Sequence, residues 1–82
     1  MESFIITLTF NGSPVIFRFV SQPDYSTHTY EVSALNNSSF TPFLMEQQGT
    51  YWRITSPVSD EIQSLELKLS TLIAAYMEGR SS

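Results

Sequence analysis

The fold is decided by residues 3–20, which read SFIITLTFNGSPVIFRFV. Two runs of alternating apolar and polar residues flank Asn11-Gly12, the pair that best tolerates the positive φ angles of a two-residue hairpin loop. With this loop, Ile6 lies opposite Phe17, and the remaining apolar side chains of both runs fall on the same face. The stretch therefore predicts a β-hairpin with one buried face, formed by strands 3–10 and 14–21.

Working outward, the chain predicts three more strands, at about 27–34, 40–47 and 50–55. In the first of these, His28 and Tyr30 are expected on the buried side of the sheet. A loop at Gln48-Gly49 would pair Met45 with Trp52, which again gives an apolar face. Short connections throughout favour an antiparallel five-stranded β-meander.

The C-terminal part of the chain predicts one amphipathic helix at about 59–78, followed by a tail at 79–82. Ser59, Asp60 and Glu61 provide cap-type side chains and negative charge at the start, and Asp60 with Gln63 also fits a capping box. Gly79 is a natural helix stop. The apolar stripe expected to face the sheet consists of Ile62, Leu65, Leu69, Leu72, Ile73 and Tyr76. Glu66 and Ser70 are expected to point away from it. The predicted fold class is α+β, with the helix packed on one sheet face of a single domain, residues 1–82.

Composition limits the functions that this chain can have. Its 82 residues allow one core, and 41% hydrophobic and 13% aromatic content is enough to fold it. The net charge of −4 disfavours nucleic acid and anionic membrane surfaces as partners. The first residues lack a basic, apolar signal segment, and no apolar run is long enough to span a membrane, so a cytoplasmic location is the default expectation.

Catalytic chemistry has little support in the sequence. His28 is the only histidine, and no serine or threonine lies in a recognisable nucleophile motif. The absence of cysteine and the dispersal of the eight carboxylates argue against a metal site. The three glycines lie in separate turns or caps, so they cannot form a phosphate-binding loop. We therefore expect no catalytic residues, no metal and no cofactor, and the balance of the sequence evidence is against an enzyme.

The sheet face opposite the predicted core is unusually mixed. It combines apolar side chains with charges of both signs, a composition that suits contact with a second copy of the chain. The candidate interface residues are Ile5, Ile16, Arg18, Glu31, Leu44, Glu46, Tyr51 and Arg53. An 82-residue core without disulfides also gains from further burial. The sequence thus predicts a homodimer formed through this face or through an exposed strand edge.

Two functional hypotheses follow. The first is a non-catalytic interaction or scaffold domain that self-associates or binds a protein partner. The alternative is a small-molecule or peptide binder, or a weak enzyme, with a pocket between helix and sheet near His28, Tyr30 and Trp52. The strand that follows Gly49 and contains Trp52, with the capped helix up to residue 76, resembles small bacterial meander–helix proteins, which is a likeness of architecture alone.

Overall fold

The computed structural model of the chain describes residues 2–25, 28–37 and 40–81, with the side chains of 80 and 81 excluded. Five antiparallel strands form one sheet in chain order, and a C-terminal helical region follows, which confirms the predicted α+β class. The elements are β1 (Ser3–Phe10), β2 (Ser13–Ser21), β3 (Thr29–Ala34), β4 (Phe43–Gln48), β5 (Tyr51–Ile54), α1 (Asp60–Gln63) and α2 (Glu66–Ser81).

The first hairpin has the predicted register. Ile6 pairs with Phe17, and Leu8 pairs with Val15. Asn11 and Gly12 form the loop with φ angles of 51° and 78°. Positive φ at both loop positions is what a type I′ turn requires, and its twist matches that of the two strands.

The register predicted for the last hairpin is wrong by two residues. Met45 pairs with Ile54 rather than with Trp52, because the loop is Gly49-Thr50 and not Gln48-Gly49. Gly49 has a φ of 65°, whereas Thr50 is not among the described residues with positive φ. Glycine at the first loop position alone is the pattern of a type II′ turn. The two-residue shift preserves side-chain alternation, so the predicted faces are unchanged.

Two strands start later than predicted. β3 begins at Thr29, and His28 precedes it as an exposed residue rather than a buried one; Thr27 lies outside the described residues. β4 begins at Phe43, directly after Pro42. Proline has no amide hydrogen to donate to a neighbouring strand, which accounts for the later start.

The helical region is divided into two segments, whereas the sequence predicts a single helix over 59–78. Of the cap-type residues at the start, Ser59 is the cap of α1, and its Oγ accepts a hydrogen bond from the Ile62 amide at 3.4 Å, whereas Asp60 is the first helical residue and not the cap of a capping box. Ser64 ends α1, where its Oγ donates to the Glu61 carbonyl at 2.6 Å. This local bond competes with regular helix geometry and accounts for the break before α2.

The C-terminal end of α2 also differs from the prediction of a stop at Gly79 and a non-helical tail. The helix passes through Gly79 and ends at Ser81, while Ser82 lies outside the described residues. Gly79 is not among the glycines with positive φ. Glycine within a helix costs only about 1 kcal/mol relative to alanine, so the last turn can form around it.

The core lies between the inner face of the sheet and the helices. Leu69 and Ile73 of α2 are completely buried, as are Phe19 and Val32 of the sheet. The Phe4 ring stacks on Phe19 at a centroid distance of 4.8 Å and on Tyr76 of α2 at 3.9 Å. No helix within the described ranges has the length and apolar character needed to cross a membrane.

Candidate interaction surface

The outer face of the sheet carries the eight predicted interface residues. Ile5 is 58% exposed, and the three side chains of Arg18, Glu31 and Arg53 are also exposed. The other members, Ile16, Leu44, Glu46 and Tyr51, are half-buried. The helices occupy the inner face, so within the described residues no secondary-structure element covers the outer face.

The register places the outer-face charges on different parts of the sheet. Glu46 of β4 lies directly opposite Arg53 of β5, whereas Glu31 of β3 lies between Val20 and Leu44. Arg18 is a cross-strand neighbour of Ile5 on β1, with two strands between it and β5. The two arginines therefore do not form a basic patch, and the β1–β2 side of the face is its more apolar side.

One edge of the sheet is covered by α2. The Thr55 amide bonds to the Leu44 carbonyl of β4 at 2.9 Å, so alternation directs the amides of Trp52 and Ile54 away from the sheet. Ser70 Oγ accepts from the Trp52 amide at 2.8 Å, and Glu66 Oε1 accepts from the Ile54 amide at 2.9 Å. Two helix side chains thus take the place of a sixth strand along β5.

Glu66 also binds the outer face of the sheet. Its Oε2 accepts a hydrogen bond from the Tyr51 hydroxyl at 3.0 Å. Burial of the carboxylate opposes its ionisation, but hydrogen bonds from Ile54, Tyr51 and Gln63 and the charge of Arg53 outweigh that effect and lower the pKa of Glu66. Partial burial of Tyr51, together with its bond to Glu66, raises the pKa of the phenol. Tyr51 is therefore engaged within the chain, which reduces its availability for an intermolecular contact.

Hydrophobic periodicity does not indicate this role of Glu66 and Ser70, because both residues are polar. Ser70 is only 4% exposed, while Leu67 on the same helix is 66% exposed. The available signal was their spacing, since residues four apart lie on one helix face and can reach alternate amides of a neighbouring strand.

The opposite edge, β1, is open. The Ser21 amide donates to the Glu2 carbonyl at 2.8 Å. The backbone N–H and C=O groups of the even-numbered residues of β1 therefore point toward β2. Alternation then directs the backbone groups of residues 3, 5, 7 and 9 outward. Within the described part of the chain, no strand lies beyond β1. The strand is eight residues long, and it contains neither a charged residue nor a proline.

A shallow apolar groove runs along part of this open edge on the inner side. It lies between the end of β1 and the outward side of α2. Leu8 and Phe10 line it from the strand, and Leu67, Lys68 and Leu72 line it from the helix. The helix therefore leaves inner-face apolar surface accessible beside β1, in contrast to its close contact with β5.

The predicted pocket near His28, Tyr30 and Trp52 is only partly assembled. His28 and Tyr30 line one depression, but it lies at the end of the sheet beside Gln22 and Tyr25, not between helix and sheet. Trp52 is buried in the core with its ring centroid 5.1 Å from that of Tyr30, and it does not line the depression. The prediction misplaced the pocket because it assumed a buried His28 on a longer β3.

The chemistry of this depression comes mainly from Tyr30. Its hydroxyl donates to Glu2 Oε1 at 3.1 Å, and burial, followed by the influence of Tyr76, raises the pKa of the phenol. The Tyr30 phenol is protonated near neutral pH, as any phenol with an ordinary or raised pKa is, so it serves as a hydrogen-bond donor rather than as a base. Elsewhere, no three histidine or carboxylate side chains of the described residues come together as a metal site.

Comparison with known proteins adds no functional information. Neither a protein family, nor a curated protein, nor a solved structure matches this chain. Function is therefore inferred from the surfaces of the domain itself.

Proposed function

We propose that this chain is a non-catalytic interaction domain that forms a homodimer. The observation that carries the proposal is the exposure of Ile5, which is 58% accessible on a sheet whose inner-face side chains are largely buried. Ile16 is its diagonal neighbour on β2, opposite Thr7 and two register positions along, and is half-buried. Large apolar side chains that adjoin on an otherwise polar surface are typical of contact sites.

The energetics favour self-association of a domain of this size. Its principal extents are 32 × 27 × 21 Å, so a large fraction of its atoms lies near the surface. Additional apolar burial contributes about 25 cal/mol per Å², before the cost of association is subtracted. An interface beside Ile5 would remove from water a side chain that the monomer leaves exposed.

The test is the mass of the protein in solution, measured by light scattering behind size exclusion over a wide range of concentration. We expect a dimer that dissociates on dilution, and we expect Ile5→Glu to shift the equilibrium to monomer. Thr50→Glu is the control, because Thr50 is exposed in the loop between β4 and β5, at the opposite edge of the sheet from Ile5. A mass of one chain at every concentration would refute the proposal.

A further inference from the structure

We infer that the contact is made by the open edge of β1, which pairs antiparallel with β1 of a second copy to form one continuous sheet. This inference rests on the proposed self-association and specifies its geometry. Its first support is the row of outward backbone groups at residues 3, 5, 7 and 9. Such a row is a template for another strand, and natural proteins usually block it with charge, proline or a covering helix. β1 has none of these, whereas β5 has the helix.

The absence of charge on β1 makes its edge compatible with a second copy as the occupant. Two copies that each carry a net charge of −4 repel one another over most approaches. The strand β1 has no ionisable side chain, so its edge is a surface where two copies meet without placing like charges opposite each other. An antiparallel pair about a two-fold axis also lets each copy use the same strand, as closed homodimers require.

The backbone pattern restricts the register. Bonded pairs must join outward-facing residues, so odd-numbered positions of one copy face odd-numbered positions of the other. The register that uses all four outward positions places Ser3 opposite Thr9 and Ile5 opposite Thr7. Ile6 of one copy then lies opposite Ile6 of the other, at the two-fold axis. The two Ile5 side chains become diagonal neighbours on the outer face, where cross-strand contacts stabilise a sheet.

The open side of α2 is compatible with this arrangement. Ile6 and Leu8 are half-buried on the inner face, and the groove beside Leu8 lies between the end of β1 and α2. Seven paired residues span roughly 23 Å at about 3.3 Å per residue, so the contact is narrow. We therefore expect a dimer of modest affinity that dissociates readily on dilution.

The experiment compares two variants by sedimentation equilibrium. Thr7→Pro removes an outward amide that no strand of its own chain uses, and proline is tolerated at such an edge position. It should raise the dissociation constant by on the order of 30-fold, because symmetry removes the hydrogen bond twice. Leu44→Glu, on the outer face of β4 and distant from β1, should leave the constant unchanged.

A measurement on the unmodified chain covers the case in which Thr7→Pro does not fold. Amide hydrogen exchange at Ile5, Thr7 and Thr9 should slow at concentrations where the dimer forms. Unchanged exchange at these amides in the dimer would overturn the edge contact, and so would dissociation by Leu44→Glu but not by Thr7→Pro. Both results would leave self-association intact. A wild-type chain that remains monomeric would refute the proposed function itself together with this inference.

Discussion

Substitution of Ser70 by alanine tests whether α2 stabilises the β5 edge. Ser70 Oγ is the acceptor for the Trp52 amide at 2.8 Å, and both residues are buried. Removal of the hydroxyl leaves that amide without its acceptor, which costs about 1–3 kcal/mol. Alanine favours a helix over serine by about 0.5 kcal/mol, so the expected net loss is about 0.5–2.5 kcal/mol.

The assay is equilibrium unfolding in urea, with Thr71→Ala as the matched control. Thr71 is exposed on the same helix, and its hydroxyl donates only to the Leu67 carbonyl of the preceding turn. The control should therefore be neutral or slightly stabilising. A loss of about 1 kcal/mol should lower the melting temperature by about 4–8 °C in a domain of this size. Equal stability of Ser70→Ala and Thr71→Ala would refute the reasoning, because it would mean that the Trp52 amide does not depend on Ser70.

Three further predictions concern pH, the core and the histidine. Hydrogen bonding holds the pKa of Glu66 below its ordinary value of 4.5. The contribution of Glu66 to stability is therefore present above that pH and is lost as the pH falls through the folded-state pKa. Glu66→Gln should lower the unfolding free energy at neutral pH and flatten the acid dependence of stability in unfolding titrations. Leu69→Ala should destabilise the fold by about 2–5 kcal/mol, since Leu69 is 0% exposed. Leu67→Ala, at a 66% exposed position, should change the unfolding free energy by less than about 0.5 kcal/mol. Similar losses for both variants would show that the helix is rotated from its described orientation. His28→Gln should leave the unfolding free energy unchanged because the side chain is exposed, and a large loss of stability would contradict its placement before β3.

Much of the fold could be predicted from residue alternation and turn chemistry. Asn11-Gly12 determines the first hairpin because the turn and the apolar pattern require the same register. The last hairpin was harder, since Gly49 is compatible with loops that begin at either of two residues. The apolar pattern could not decide between them, because registers two residues apart bury the same side chains.

The surfaces were less predictable because they depend on how the helix lies on the sheet. Periodicity indicated that Leu69 and Ile73 face inward, and both are buried. It also assigned Ser70 to the exterior, because hydrophobic periodicity treats every polar residue as solvated. Ser70 is buried because its hydroxyl accepts a hydrogen bond from the Trp52 amide, which no neighbouring strand pairs. This need for an acceptor becomes apparent only when β5 is known to be an edge of the sheet.

The two edges of the sheet together limit the size of any assembly. A chain with two open edges can add copies at both ends and grow into a filament, whereas a chain with one open edge stops at a pair. Glu66 and Ser70 close β5, so β1 is the remaining edge at which a strand can add. Ile5 lies where this open edge meets the uncovered outer face, which explains why it is the most exposed isoleucine in the described residues. The hydrogen bonds that stabilise α2 on β5 therefore also prevent continued strand addition, and variants that lose both of them should form larger aggregates than dimers.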